Sequence, residues 1–232
     1  MSILNENNIL VIIPAFNEEH TVGSVIRNVK KDFKGADILV VDDASLDGTY
    51  MKAFKNQAFV VKHAFNLGIG VSFQTGCQFA CLHNYDCIVR VDADGQHDTC
   101  FIKDIVVSIK NNEADIVIGS RFLGDSNYKS SFFRLIGIRI ISCALNTISK
   151  TRITDPTSGF CAMNRKAFEF FSRDCAEDYP EPEILLHHKN FRIKEVPVSM
   201  NKRYYGASSI TFSKSVYYVL KVFFSLFVGM LR

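Results

Sequence analysis

"ILVIIPAFNEE" (residues 9–19) decides how this chain is read. Residues 9–16 are apolar without a break, and then Asn17, Glu18 and Glu19 arrive together. A strand with one wet face alternates apolar and polar residues; an unbroken run is what a strand covered on both faces needs. The first strand is therefore read as buried on both faces, with polar residues at its carboxyl end.

The same sentence repeats along the first half. Residues 18–33 space Val22, Val25, Ile26 and Val29 as one helical face. "ADILVVDD" (36–43) is a second buried strand, 45–57 a capped helix, and "AFVVKHA" (58–64) a third strand. Residues 70–84 read as a helix, "DCIVRVDAD" (86–94) as a fourth strand, 99–112 as a helix and "ADIVIGSRF" (114–122) as a fifth strand. Strands alternating with helices predict an α/β fold, a mostly parallel central sheet with helices on both faces. In such sheets ligands bind beyond the carboxyl ends of the strands. Polar residues gather there: Asn17 and Glu18, Asp42 and Asp43, Asp92 and Asp94, Ser120 and Arg121. The second half is less regular: a helix over 134–150, a turn at 155–160, helices over 164–173 and 179–190, a strand over 191–200 and a loop at 203–211. No linker or repeat divides the chain. One domain spans 1–211, and 212–232 form a C-terminal amphipathic helix.

Bulk composition narrows the function classes. With 232 residues, 47% apolar and 22% charged, the chain can bury a core without disulfides or structural metal. A net charge of +3 gives no case for nucleic acid. Seven cysteines without CxxC pairs read as reduced thiols of a cytosolic protein with no zinc site. The N-terminal apolar run lacks the flanks of a signal peptide, and no stretch reaches the roughly 18 apolar residues of a membrane span.

Asp92 and Asp94 face the same side if the strand stays extended through them. Two carboxylates so placed repel unless a cation lies between them, and hard oxygen ligands suit Mg²⁺ or Mn²⁺, which also take substrate phosphates. The rival is a solvated strand end with a helix-capping Asp. Asp42 and Asp43 can accept from a base N–H or a ribose hydroxyl; the rival there is helix capping by Ser45 or Asp47. "NLGIGVSFQTG" (66–76) misses GxGxxG because Phe73 stands at the third glycine, which counts against a nicotinamide cofactor. No GxxxxGK loop is present, which counts against a P-loop kinase or ATPase. His97 lies beside the carboxylates, but a loop histidine more often hydrogen-bonds than ligates.

Seven motifs now stand in order: "VIIPAFNEE", "ILVVDDASLDGT", "NLGIG", "VDADGQHD", "IVIGSRF", "DPTSGF" and "RYYGASSI". Together they resemble the family 2 glycosyltransferases over residues 9–211, in the branch of dolichyl-phosphate mannose synthase and bacterial polyprenyl-phosphate sugar transferases. The resemblance implies a GT-A (Rossmann-like) fold, a nucleotide-sugar donor, a divalent metal and inversion at the anomeric carbon. It implies that Pro14, Ala15, Asn17 and Glu18 line the nucleotide and that Asp43 contacts the base or ribose. Asp92 and Asp94 hold metal and diphosphate, with Gln96 near the metal. Arg121 meets an acceptor or donor phosphate, Asp155, Ser158 and Gly159 form the acceptor-side turn, and Arg203 and Ser208 clamp the diphosphate. The chain departs from the branch after His97, where Asp98 and Thr99 replace prolines. At "YPEPE" (179–183) it is similar instead to bacterial transferases of cell-surface polysaccharides. Absence of Trp removes the QxxRW signature of processive synthases, which implies that one sugar is added at a time.

Charge growing on a leaving diphosphate calls for a metal on Asp94 and a guanidinium such as Arg203. An alcohol acceptor needs a base, for which Glu181, Glu183 and Asp155 are candidates, Glu183 lying nearest the family's acceptor-side carboxylate. A phosphate acceptor needs cations instead, such as Arg121, Arg134, Arg139 and Arg152. Two other readings compete: a nucleotidyltransferase, which ordinarily carries a Gly- and Lys-rich loop after the first strand, and a non-catalytic nucleotide-sugar-binding partner. The segment 214–232 sets Val216, Val219, Leu220, Phe223, Phe224, Phe227 and Leu231 on an apolar face fringed by Lys214, Lys221 and Arg232. That pattern fits an interfacial helix on anionic lipid, although a helix packed on the core is a rival. The expected setting is cytoplasmic, peripheral at the inner membrane face, with a lipid-linked or polyprenyl-phosphate acceptor.

Overall fold

A computed structural model describes residues 8–123, 142, 153–173, 175 and 190–201. Among the described residues, seven strands form one sheet: β1 (Ile9–Ala15), β2 (Asp37–Asp42), β3 (Phe59–Lys62), β4 (Cys87–Arg90), β5 (Ile116–Ser120), β6 (Cys161–Asn164) and β7 (Ile193–Pro197), in the order β3-β2-β1-β4-β6-β5-β7. Every pairing is parallel except those of β6, which runs antiparallel to both β4 and β5. Helices α1 (Val22–Asp32), α2 (Thr49–Lys55), α3 (Ile69–Leu82), α4 (Ile102–Lys110) and α5 (Arg165–Phe171) cover it.

The unbroken apolar run of β1 is explained by its neighbours. Ile9, Val11 and Ile13 join the core under α1 and α4, with Val25, Ile26, Ile105 and Val106. Leu10 and Ile12 join the opposite core under α3 and α5, with Phe73, Cys77, Phe168 and Phe171. Pro14 is tolerated within β1 because the β4 ladder has already ended. Ile12 accepts from the Val91 N–H, and Pro14 lies two residues further on the same edge, so its missing N–H breaks no rung.

The first five strands fall where the hydrophobic runs predict them. Two differences bear on the site. The fourth strand ends at Arg90 rather than Asp94: Val91 makes the last bond to β1, and residues 93–94 turn, with Gly95 at φ 76°. Asp92 and Asp94 thus lie in a loop, not on an extended strand. The second difference is β6, whose four residues are too short to carry a period. The expected elements over 134–150 and 179–190 (Ser142 and Asn190 apart), the loop at 203–211 and the helix over 212–232 lie outside the described residues.

Helix α3 sits on β1 at close range because residue 76 is glycine. A Cβ there would lie 2.5 Å from Cγ2 and 2.8 Å from Cδ1 of Ile12. Gly76→Ala therefore forces the helix off the sheet, and urea unfolding is expected to show a loss of about 1–3 kcal/mol, the usual cost of overpacking.

Candidate active site

The β1–α1 and β2–α2 loops are stitched together at the carboxyl rim. The Asn17 N–H donates to Ser45 Oγ (2.9 Å), and Asn17 Oδ1 accepts from the Leu46 N–H (3.0 Å). The Glu18 N–H donates to Thr49 Oγ1 (2.8 Å), and Glu19 Oε2 accepts from the Gly48 N–H (2.9 Å). Asn17 adopts φ 57°, a conformation that asparagine tolerates better than most residues. Pro14 and Ala15 are buried beneath this clasp, and Asn17 is exposed above it. Glu18 turns its carboxylate inward to accept from Thr21 Oγ1 (2.7 Å).

Asp43 is buried, and its carboxylate faces its own chain. Oδ1 accepts from the Leu67 N–H (2.9 Å) and lies 2.7 Å from His63 Nδ1, and Oδ2 accepts from the Gly68 N–H (2.8 Å). His63 Nε2 in turn meets Thr75 Oγ1 at 3.0 Å. Asp43 thereby folds the "NLGIG" loop onto the rim. Asp42 Oδ1, likewise buried, accepts from the Ser45 N–H (3.0 Å).

The carboxylate pair lies beyond β4. Asp92 keeps its side chain 31% exposed, and Asp94 is also half-buried. Arg90, within β4 and 1% exposed, places Nη2 3.5 Å from Asp92 Oδ1 and lays its guanidinium over the Phe73 ring at 5.5 Å. His97 Nε2 stands 3.6 Å from Asp92 Oδ2. Burial pushes the Asp92 carboxyl up, but the neighbouring His97, Arg90 and Arg121 outweigh it and hold it below the ordinary value. Burial pushes His97 down, against the pull of Asp92 and Asp94, and its net shift is downward. Asp94 Oδ1 accepts from the Gln96 N–H (3.0 Å), which sets the loop around Gly95. Gly159 closes the other side: a Cβ there would lie 3.0 Å from Arg90 Nη2 and 3.1 Å from Asp92 Oδ2.

Among the described residues no group of three or more His, Cys, Asp or Glu side chains gathers as a metal cluster. Two partly exposed carboxylates, one of them held anionic, fit Mg²⁺ or Mn²⁺, ions that keep several waters and share a substrate's phosphates. They do not fit a closed structural zinc site.

Arg121, at the end of β5, and Asp155 form a buried pair, Asp155 being 0% exposed. Arg121 Nε reaches Oδ2 and Nη2 reaches Oδ1, both at 2.6 Å; the Arg121 N–H adds a bond to Oδ2 (3.0 Å), and Nη2 also meets Thr157 Oγ1 (2.7 Å). Both oxygens of Asp155 are taken by Arg121, and two of the Arg121 side-chain nitrogens lie on Asp155, so the pair holds the turn in place. Ser158 Oγ donates to the Gly119 carbonyl (2.6 Å), also a structural bond. Glu195 on β7 was not foreseen. It accepts from the N–H groups of Thr154 (2.9 Å) and Asp155 (2.8 Å), and burial raises its pKa despite those bonds. Glu183, Arg203 and Ser208 lie outside the described residues, as do Glu181, Arg134, Arg139 and Arg152.

Comparison with known proteins gives the site a context. A family model described as glycosyl transferase family 2 matches residues 10–171. An uncharacterised protein of Methanocaldococcus jannaschii is 32% identical over 96% of this chain and 92% of its own. The UDP-N-acetylglucosamine–dolichyl-phosphate N-acetylglucosaminyltransferase of Methanococcus voltae is 28% identical over 94% of each chain. Polyprenol monophosphomannose synthase of Mycolicibacterium smegmatis is 26% identical over 87% of this chain and 80% of its own. In structure, glucosyl-3-phosphoglycerate synthase of Mycobacterium tuberculosis, crystallised with Mn²⁺, UDP and glucosyl-3-phosphoglycerate, superposes with a TM-score of 0.75 at 19% identity, covering 95% of this chain and 80% of that one. That likeness establishes the shared α/β fold.

The buried pair makes a direct prediction. Arg121→Met leaves the Asp155 carboxylate without its counterion, a change that costs about 3–5 kcal/mol when a buried pair is broken from one side. Chemical denaturation of the variant is expected to show that loss. An unchanged midpoint would return Arg121 to the role of a rim cation.

Proposed function

The chain belongs to glycosyl transferase family 2, and from that premise we propose that it moves one sugar, with inversion and a divalent metal, from a nucleotide-sugar donor to a polyprenyl-phosphate or other lipid-linked acceptor. The observation that carries this reading is the Asp92–Asp94 pair on the carboxyl rim, with Arg90 3.5 Å and His97 3.6 Å from the Asp92 carboxylate. The names of the M. voltae and M. smegmatis relatives, one carrying dolichyl phosphate and the other polyprenol monophosphomannose, support the acceptor class.

Asp92 and Asp94, with Gln96 beside them, would hold Mg²⁺ or Mn²⁺, which when bound supplies Lewis-acid stabilisation of the departing diphosphate. The rest of the work falls to the chain. The clasped loops bearing Asn17 and Glu18 form a rigid wall for the nucleotide, and the loop folded by Asp43 forms a second. Rigid walls hold the donor in one pose, so less motion is lost on reaching the transition state. Arg203, in the late basic segment, offers a cation to the same leaving charge, and Ser208 a hydroxyl. With Asp155 committed to Arg121, Glu183 and Glu181 are the candidate bases for an alcohol acceptor. A phosphate acceptor is already ionised and takes none.

Among the described residues no helix is long and apolar enough to cross a membrane. The segment 212–232, with its apolar face and basic fringe, supports peripheral contact at the inner membrane face, where a lipid-linked acceptor would be met.

Two measurements test the proposal. Asp94→Ala is expected to lower nucleoside-diphosphate release from UDP-, GDP- or dTDP-sugars at least about 100-fold, and EDTA is expected to do the same to the parent protein. The stability of the variant is expected to stay within about 1 kcal/mol of the parent, because Asp94 is partly exposed in a loop and not part of the core. Near-normal, metal-dependent turnover would overturn the assignment. Sedimentation with anionic liposomes tests the membrane side: the full chain is expected to pellet, and a chain ending at Thr211 to stay in solution with donor binding intact. Truncation that unfolds the domain would make the segment structural.

A further inference from the structure

His97 is 5% exposed, and its ring lies nearly flat on Phe160, with centroids 4.9 Å apart and planes inclined by 13°. Nδ1 accepts the Asp92 N–H at 3.0 Å. A ring nitrogen that accepts from an amide carries no proton, so in the neutral ring the hydrogen is on Nε2, the atom 3.6 Å from Asp92 Oδ2. One imidazole therefore faces both the backbone and the carboxylate of Asp92. The loop that carries it is pinned as well: residue 97 makes an antiparallel bridge to Met200, and the Asn201 N–H donates to the Gln96 carbonyl at 2.8 Å. Residues 200–201 lead directly into the late basic segment that contains Arg203.

A histidine serving only to fill the core would need its shape and nothing else. The amide of Asp92 argues for more. It lies past the last rung of β4, since Val91 makes the final bond to β1, so the acceptor it finds is a side chain rather than a neighbouring strand.

We propose, resting on the reading of Asp92 and Asp94 as the metal-holding pair, that His97 is a positioning residue: through Nδ1 it fixes the backbone at Asp92, and so the direction of its carboxylate, and it locks the metal loop to the strand end that delivers the late basic segment. His97 touches neither metal nor sugar. It acts through Asp92, as the outer partners of metal ligands do elsewhere, where their loss weakens metal binding about 10–100-fold.

The test uses the full chain with three substitutions. His97→Phe keeps the stack on Phe160 and removes the acceptor. His97→Asn places a carbonyl oxygen near the site of Nδ1, and His97→Gln places its amide near Nε2. Mn²⁺ affinity in the presence of UDP or GDP is read from the free-ion electron paramagnetic resonance signal. Amide hydrogen exchange across residues 91–97 is read without metal. His97→Phe is expected to weaken Mn²⁺ at least about tenfold and to speed exchange at the Asp92 amide, and His97→Asn to restore most of both. If His97→Phe binds Mn²⁺ as the parent does, or if Asn gives no more rescue than Gln, the proposal is overturned. Should His97→Phe fail to fold, the Asn-against-Gln comparison decides alone. If the parent binds no Mn²⁺ with either nucleotide, the metal reading falls on its own, and exchange at Asp92 still decides whether His97 positions it.

Discussion

Two opposite charges with almost no water around them, Arg121 and Asp155, hold the end of β5 to the segment that leads into β6. Such a pair is a poor source of net stability, because desolvation consumes most of the attraction. Its value is geometric. Parallel bonds from a planar guanidinium allow one arrangement of the two backbones, and Glu195 repeats the device from β7 by gripping the amides of Thr154 and Asp155. With residues 153–157 so fixed, Gly159 arrives against Arg90 and Asp92, and Phe160 arrives beneath His97. The carboxylate pair at the rim thus depends on a buried charge pair.

Three buried polar clusters support the rim: Asp43 with His63 and the 67–68 amides, His97 with Asp92, and Arg121 with Asp155. In each, an ionisable side chain in a family motif is turned inward to shape a loop. The groups left partly exposed, Asp92 and Asp94, are few. Preorganisation of this kind is what a transferase needs when charge must be stabilised without rearrangement at the moment it develops.

Much of this was legible in the chain itself. Hydrophobic runs located β1 to β5 and the helices between them, because a strand buried on both faces leaves an unmistakable unbroken stretch. The polar strand ends located the rim. β6 was not legible: "CAMN" has no period of its own and becomes a strand only because β4 and β5 flank it on both sides. The partners of Asp43 and Asp155 were hidden for a related reason. A motif shows that a carboxylate matters, but whether it points to ligand or to backbone depends on loops that return from 24 or 34 residues away. Glu195 gave no signal, since "FRIKEVPVSM" reads as an ordinary strand with a solvated charge.

The antiparallel strand also bears on how the chain comes together during synthesis. The half-sheet β3-β2-β1-β4 is assembled from consecutive segments and can close as soon as Arg90 has emerged. β5 emerges next and finds no neighbour, for its place beside β4 is held for β6. Until residues 161–164 leave the ribosome, β4 presents an open, apolar edge of the kind to which stray strands add. Closing the sheet therefore waits on the insertion of four residues, through which β5 and β7 join β4.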